Sequence, residues 1–213
     1  MCVRVAMQQQ GASMGLGARV SAVITSYDRP ASLRRAVESA LRQSIPVEVL
    51  VVDDCSSFDA AALLASYENV RLIGKTANRG VSHSRNLGAA EARGEFIAFL
   101  DDDDVWLPQK AERQLETIGG NVICLCGMRI QPGGRARVRA VTKVAAHALR
   151  MGNPICGGSG FFVRRELFDR IRFDETLSKI SAKTARCCGR TRPRKVLKQA
   201  NSTSGVAAMI AVR

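Results

Sequence analysis

Phe96-Ile97-Ala98-Phe99-Leu100-Asp101-Asp102-Asp103-Asp104-Val105-Trp106-Leu107-Pro108 is the stretch on which the fold turns. The apolar run 96–100, entered through Glu95, has the length and uniform hydrophobicity of a strand buried on both faces. Carboxylates stacked at the carboxyl end of such a strand repel one another unless a cation or strong donors neutralise them. In an extended chain Asp101 and Asp103 point the same way, because side chains alternate with a period of two. That pair suits one hard divalent cation, Mg²⁺ or Mn²⁺, which usually accompanies a phosphate-bearing substrate. The simpler alternative is a solvated acidic turn capping a helix that begins near Pro108, through the dipole at its N-terminus.

Upstream of this stretch, strand and helix signals alternate. Val20–Thr25 reads as a strand running into the turn Ser26-Tyr27-Asp28-Arg29-Pro30. Leu33, Ala36, Val37, Ala40 and Leu41 then recur at helical spacing, with Pro30 suited to a first turn. Val47–Val52 is a second strand ending in Asp53-Asp54, and an Ala/Leu-rich helix over about 58–66 leads to a third, Val70–Ile73. A helix from about Ser82 to Arg93 is stopped by Gly94. Another follows the acids, with Ala111, Leu115 and Ile118 on one face. This alternation predicts an α/β fold with a mostly parallel sheet covered on both faces. Beyond Gly119-Gly120 the pattern loosens. Val122–Cys126 is a strand candidate, and Gly157-Gly158-Ser159-Gly160 precedes a strand, Phe161–Val163, that enters a short helix.

The chain has 213 residues, 46% of them hydrophobic, enough to build a substantial core. No run approaches 18 apolar residues, and residues 1–18 show no apolar leader core. The expectation is a cytoplasmic protein. The seven cysteines contain no Cys-x-x-Cys pair, which favours free thiols in a reducing compartment; Cys124 and Cys126 should share one strand face. The net charge of +13 is unevenly spread. Residues 1–128 carry 13 basic and 15 acidic groups, residues 129–178 carry 10 and 4, and residues 179–213 carry 9 and 0. The basicity belongs to the back of the chain and has no aromatic platform beside it. That argues against a nucleic-acid binder and leaves room for peripheral contact with an anionic membrane.

In an open parallel sheet, ligands bind outside the carboxyl ends of the strands. Here those ends supply Thr25-Ser26-Tyr27-Asp28, Asp53-Asp54 and the acidic run. Asp53-Asp54 could accept from a ribose hydroxyl or a base N–H, or could cap the next helix. No Gly-x-Gly-x-x-Gly follows the first strand and no Gly-Lys-Ser/Thr loop exists. A nucleotide would be held by carboxylates, hydroxyls and a metal. Arg85 and Asn86, near a helix start, suit an anion.

The set Val23–Tyr27, Val51–Ser56, Asn78-Arg79-Gly80, Ser84-Arg85-Asn86, Ala92–Ile97 and Phe99–Trp106 resembles the inverting family 2 glycosyltransferases of the GT-A fold. The resemblance covers about residues 19–118 and continues more weakly from Gly158 to Leu177. It implies a Rossmann-like sheet, a nucleotide-sugar donor (most often a UDP-sugar), Mg²⁺ or Mn²⁺ on its diphosphate, and a saccharide or lipid-linked acceptor. By position, Thr25 and Asp54 resemble the nucleoside-binding residues, and Asp101 and Asp103 the two acids of the Asp-x-Asp metal motif. Asp102 falls near the ribose or sugar hydroxyls, and Arg85 is a further donor contact. The implied organisation is an N-terminal extension, 1–18; a nucleotide-sugar-binding half, 19–128; a partial acceptor-side half, 129–178; and a basic tail, 179–213.

Inverting transfer needs a base within reach of the acceptor hydroxyl. The family's carboxylate, usually a Glu-Asp pair shortly after a segment like Arg172–Leu177, has no counterpart here: no Asp or Glu follows Glu175. The expectation is a chain truncated or altered after about residue 178. Two readings follow, an active transferase or a non-catalytic remnant that binds the nucleotide-sugar.

Overall fold

The computed structural model describes residues 18–129, 157–177 and 208–212. Four parallel strands form its centre: β1 (Val20–Ser26), β2 (Val47–Asp53), β3 (Val70–Gly74) and β4 (Phe96–Asp101). Three more follow, β5 (Ile123–Arg129), β6 (Phe161–Arg164) and β7 (Ala208–Val212). The sheet order is β3-β2-β1-β4-β6-β5-β7, and β6 alone runs against its neighbours. β1 is buried throughout, β2 over its last five residues and β4 over its first five, as continuous apolar runs in a covered sheet require.

The helices are α1 (Pro30–Leu41), α2 (Ala60–Leu64), α3 (Val81–Glu91) and α4 (Lys110–Ile118). One core cluster joins Leu33, Ala36, Val37, Ala111 and Ile118 to alternate strand residues such as Ile24, Val51 and Leu100. The opposite cluster gathers Val23, Val52, Phe99 and Ala89 of α3, with Leu167, Phe168 and Phe173 packed against it. α3 presses closely on the sheet at Gly88, where an added Cβ would lie 2.3 Å from a Val23 methyl carbon. Only a glycine permits that approach.

α2 is shorter than its apolar run suggested, and its N-cap is Asp59, whose Oδ1 accepts from Ala62 N at 2.9 Å. Asp53-Asp54 therefore cap no helix. Nor do the four acids cap α4, which starts from Gln109 without a side-chain cap. α4 also buries two polar residues, Lys110 and Gln114, beside the expected Ala111 and Ile118. The Lys110 ammonium lies 3.7 Å from the Trp106 ring centre, a cation–π contact suited to a withdrawn charge. Cys124 and Cys126 are both buried thiols on β5, and burial pushes the Cys124 thiol up to about 11; Cys55, by contrast, is exposed. Residues 208–212, read from sequence as patternless tail, form a strand parallel to β5. The rest of residues 179–213, and residues 130–156, lie outside the described residues.

Candidate functional site

The register sets the site. Thr25 is paired with Val52 on one side and Asp101 on the other, so β1, β2 and β4 end at the same level. Alternation then sorts the ends between two faces. Thr25, Asp54 and Asp101 follow the face that packs on α3. Ser26, Asp53 and Asp102 follow the face toward the start of α1.

On the α3 face, Asp54 is almost fully buried and saturated with donors. Lys75 Nζ is ion-paired to its Oδ1, Arg79 N donates at 2.9 Å, and Gly80 N donates to Oδ2 at 2.8 Å. Lys75 Nζ also reaches Ser84 Oγ at 3.1 Å, which ties the end of β3 to α3. Asp101 accepts from Arg85 Nη2 at 2.6 Å. The Arg85 guanidinium lies 5.4 Å from the Phe173 ring centre, and its buried Nε has no hydrogen-bond partner. Its place depends on Gly158, where a Cβ would fall 2.1 Å from Nη2. Asn86 faces away from the acids: its amide bonds Phe173 N and O and Glu175 Oε1 at 2.9, 3.0 and 3.0 Å, and so fastens α3 to residues 173–175. His83 Nδ1 is buried without a partner, and burial followed by the charges of Lys75 and Arg79 holds the imidazole below its usual range.

The α1 face is wetter. Asp28 and Cys55 have φ of 54° and 66°, left-handed conformations that L residues adopt at a cost. Their loops brace each other: Asp28 N donates to Ser56 Oγ at 2.9 Å, and Ser57 N donates to Asp28 Oδ1 at 2.6 Å. Asp53 accepts from Ser56 N and Oγ at 3.0 and 2.5 Å. Tyr27 N donates to Asp102 Oδ2 at 3.2 Å, while Arg29 Nη1 lies 3.1 Å from both Asp102 Oδ1 and Asp103 Oδ2. Burial raises Asp102 above the usual carboxylate range, against the opposing pull of the Tyr27 N–H and Arg29.

The extended geometry expected for Asp101 and Asp103 ends at Asp101. Asp104 N donates to Asp101 O at 3.1 Å and closes a turn. Asp101 thereby goes to Arg85 while Asp102 and Asp103 share Arg29. Ser159 pins both ends of this turn, its Oγ accepting from Asp101 N at 3.0 Å and donating to Asp104 Oδ2 at 2.5 Å.

Three residues of this arrangement, Lys75, Arg29 and Ser159, were not singled out from the sequence. Ser26 Oγ is buried at the end of β1 without a partner, one position beyond Thr25. Lys75, Arg29 and Ser159 reach the acids across 21 to 74 residues of chain, beyond any local pattern. The Gly157–Gly160 run did mark Ser159's place.

The glycosyl transferase family 2 profile matches residues 21–172, which span all these strand ends. The chain belongs to that family. Succinoglycan biosynthesis protein ExoO of Rhizobium meliloti is 32% identical over 179 residues, covering 74% of this chain and 51% of that protein. The E. coli UDP-Glc:alpha-D-GlcNAc-diphosphoundecaprenol beta-1,3-glucosyltransferase WfaP is 33% identical over 99 residues, covering 45% and 39%. Among solved structures, S. aureus TarS 1-349 in complex with UDP superposes with a TM-score of 0.67 at 20% identity, covering 92% of this chain and 60% of that one. The fold is accordingly α/β of the GT-A type. This family 2 chain spans about half the length of the relatives it matches.

Proposed function

We propose that the chain binds a nucleotide-sugar, a UDP-sugar in the first place, together with a divalent cation, as the donor half of an inverting glycosyltransferase. The observation that carries this reading is the convergence of Thr25, Asp54, Asp101 and Asp102 at the carboxyl ends of adjacent parallel strands in a family 2 chain. A UDP-sugar and a lipid-linked acceptor are named for WfaP, and that supports the same classes here. Tyr27 and the ends of β1 and β2 would bound the nucleoside, with Asp54 holding the 75–80 loop against it.

The residues present fit a hard cation. Asp102 and Asp103 already converge on one positive centre, Arg29. No three acidic, histidine or cysteine side chains gather at one point among the described residues. Mg²⁺ or Mn²⁺ would take one or two carboxylates and complete the shell with water and substrate phosphate oxygens. Asp103, with Asp101 as second candidate, is the ligand proposed. The metal would supply Lewis-acid stabilisation of the departing diphosphate.

The second reading, a non-catalytic donor-binding remnant, is favoured by one observation: Glu175 is engaged with Asn86 and Arg79. Donor turnover, followed as UDP release from UDP-glucose with Mn²⁺ and a lipid-diphosphate saccharide, separates the two. Turnover giving an inverted anomer by NMR establishes the transferase. Calorimetric binding without turnover establishes the remnant. Absence of both rejects the donor-site reading itself.

A further inference from the structure

We propose that Arg29 holds the place of the divalent cation at the acidic turn, so that the cation enters by exchange with a guanidinium. This rests on the metal reading above. One nitrogen, Arg29 Nη1, lies 3.1 Å from Asp102 Oδ1 and 3.1 Å from Asp103 Oδ2. The remaining oxygen of Asp102 is taken by Tyr27 N–H at 3.2 Å, so the pair of carboxylates is tied on both sides to the β1–α1 turn. A cation bound to either oxygen would stand within a few ångströms of that guanidinium, and like charges at such separation repel.

The two arginines of the turn differ in what holds them. Arg85 is 14% exposed, packed against Phe173 and paired with Asp101, with Gly158 leaving its space. Arg29 is 55% exposed, and its contacts are Asp102 and Asp103. Released into water, it gives up a screened pair with Asp103, while the nearly buried Asp102 keeps the Tyr27 N–H and receives the incoming cation's charge in place of the guanidinium's. A divalent ion gains more from the same oxygens. The exchange keeps the acidic turn neutralised when no cation is bound. It also keeps cation affinity low until a diphosphate adds its own oxygen ligands, so donor and metal would arrive together.

The test is a titration of the donor-free full chain with Mn²⁺ alone, following free Mn²⁺ by electron paramagnetic resonance. Arg29→Gln should bind Mn²⁺ roughly 3- to 10-fold more tightly than wild type, the range expected for removing a half-exposed competing pair. Arg29→Lys, which keeps the charge, should stay near wild type. Arg42→Gln, which removes an exposed arginine paired with Glu38 on α1, should change nothing. Adding Asp103→Asn to Arg29→Gln should abolish the gain. Equal or weaker binding by Arg29→Gln overturns the exchange while leaving the metal reading standing. Absence of Mn²⁺ binding in every variant overturns both.

Discussion

The two faces of the strand ends treat their carboxylates differently. Toward α3, Asp54 and Lys75 form an ion pair in which both side chains are 6% exposed, and Asp101 is held by a nearly buried Arg85. Toward α1, Asp102 and Asp103 share the half-exposed Arg29, and Asp28 sits in solvent braced by Ser57. Removing one partner of a buried pair strands a charge without water, whereas an exposed pair is screened and replaceable. The α3 pairs are therefore frame, and on the α1 face the exposed Arg29–Asp103 pair is where contacts can be exchanged for a ligand's.

The largest effect should come from breaking the frame at its most buried point. Lys75→Met leaves Asp54 charged and without its cation, and should cost about 3–5 kcal/mol in denaturant unfolding. The double change with Asp54→Asn should recover part of that loss. If Lys75→Met proved as mild as a surface substitution, the contrast between the faces would collapse. Gly158→Ala comes next. Its methyl group meets Arg85 Nη2, and the strain of moving a packed guanidinium should cost about 1–3 kcal/mol. Loss of the Asp101 pairing should show as a changed Arg85 side-chain NMR signal.

Acid sharpens the comparison further. His83 is held below its ordinary value by burial, so the unfolded chain takes up its proton first. Stability is full above about pH 6.5 and falls as pH drops toward the folded value. His83→Gln should remove this first limb. Asp28 is lowered by its bonds from Ser57, so its contribution is present above about pH 4 and is lost as pH falls through its lower folded value. Asp28→Asn should flatten only that later limb. Unfolding curves at stepped pH would expose a single merged transition if the two faces were not distinct. The smallest effect belongs to Arg29→Gln, about 1 kcal/mol in stability, because the guanidinium and Asp103 are exposed and the buried Asp102 keeps its Tyr27 N–H bond.

What could be read from the sequence follows the same divide. Strands β1, β2 and β4 were legible because burial on both faces demands uninterrupted apolar runs, and their ends because acids after such runs are conspicuous. α1 and α4 showed their buried stripes, while α2 ended early, at Leu64, ahead of the exposed Ala65 and Ser66. The partners of the acids were hidden. Arg29 lies some 70 residues from Asp102, and Ser159 lies 58 from Asp101. Only the sheet register brings them together. Lys110 was unreadable for another reason: its charge argues for exposure, whereas in the fold the Trp106 ring lies beneath its ammonium. The strand Ala208–Val212 had a five-residue apolar signal, which the basic sequence before it obscured.

The acidic turn is proposed to couple a cation to a nucleotide diphosphate at the strand ends. Calorimetric titration of UDP into wild type and Asp103→Asn, each with and without Mn²⁺, tests it most directly. Asp103 is half exposed, so its loss should leave the fold intact. The prediction is UDP binding that Mn²⁺ tightens in wild type, with the tightening lost in Asp103→Asn. UDP affinity indifferent to Mn²⁺ in wild type, or a Mn²⁺ effect that survives in Asp103→Asn, would contradict it.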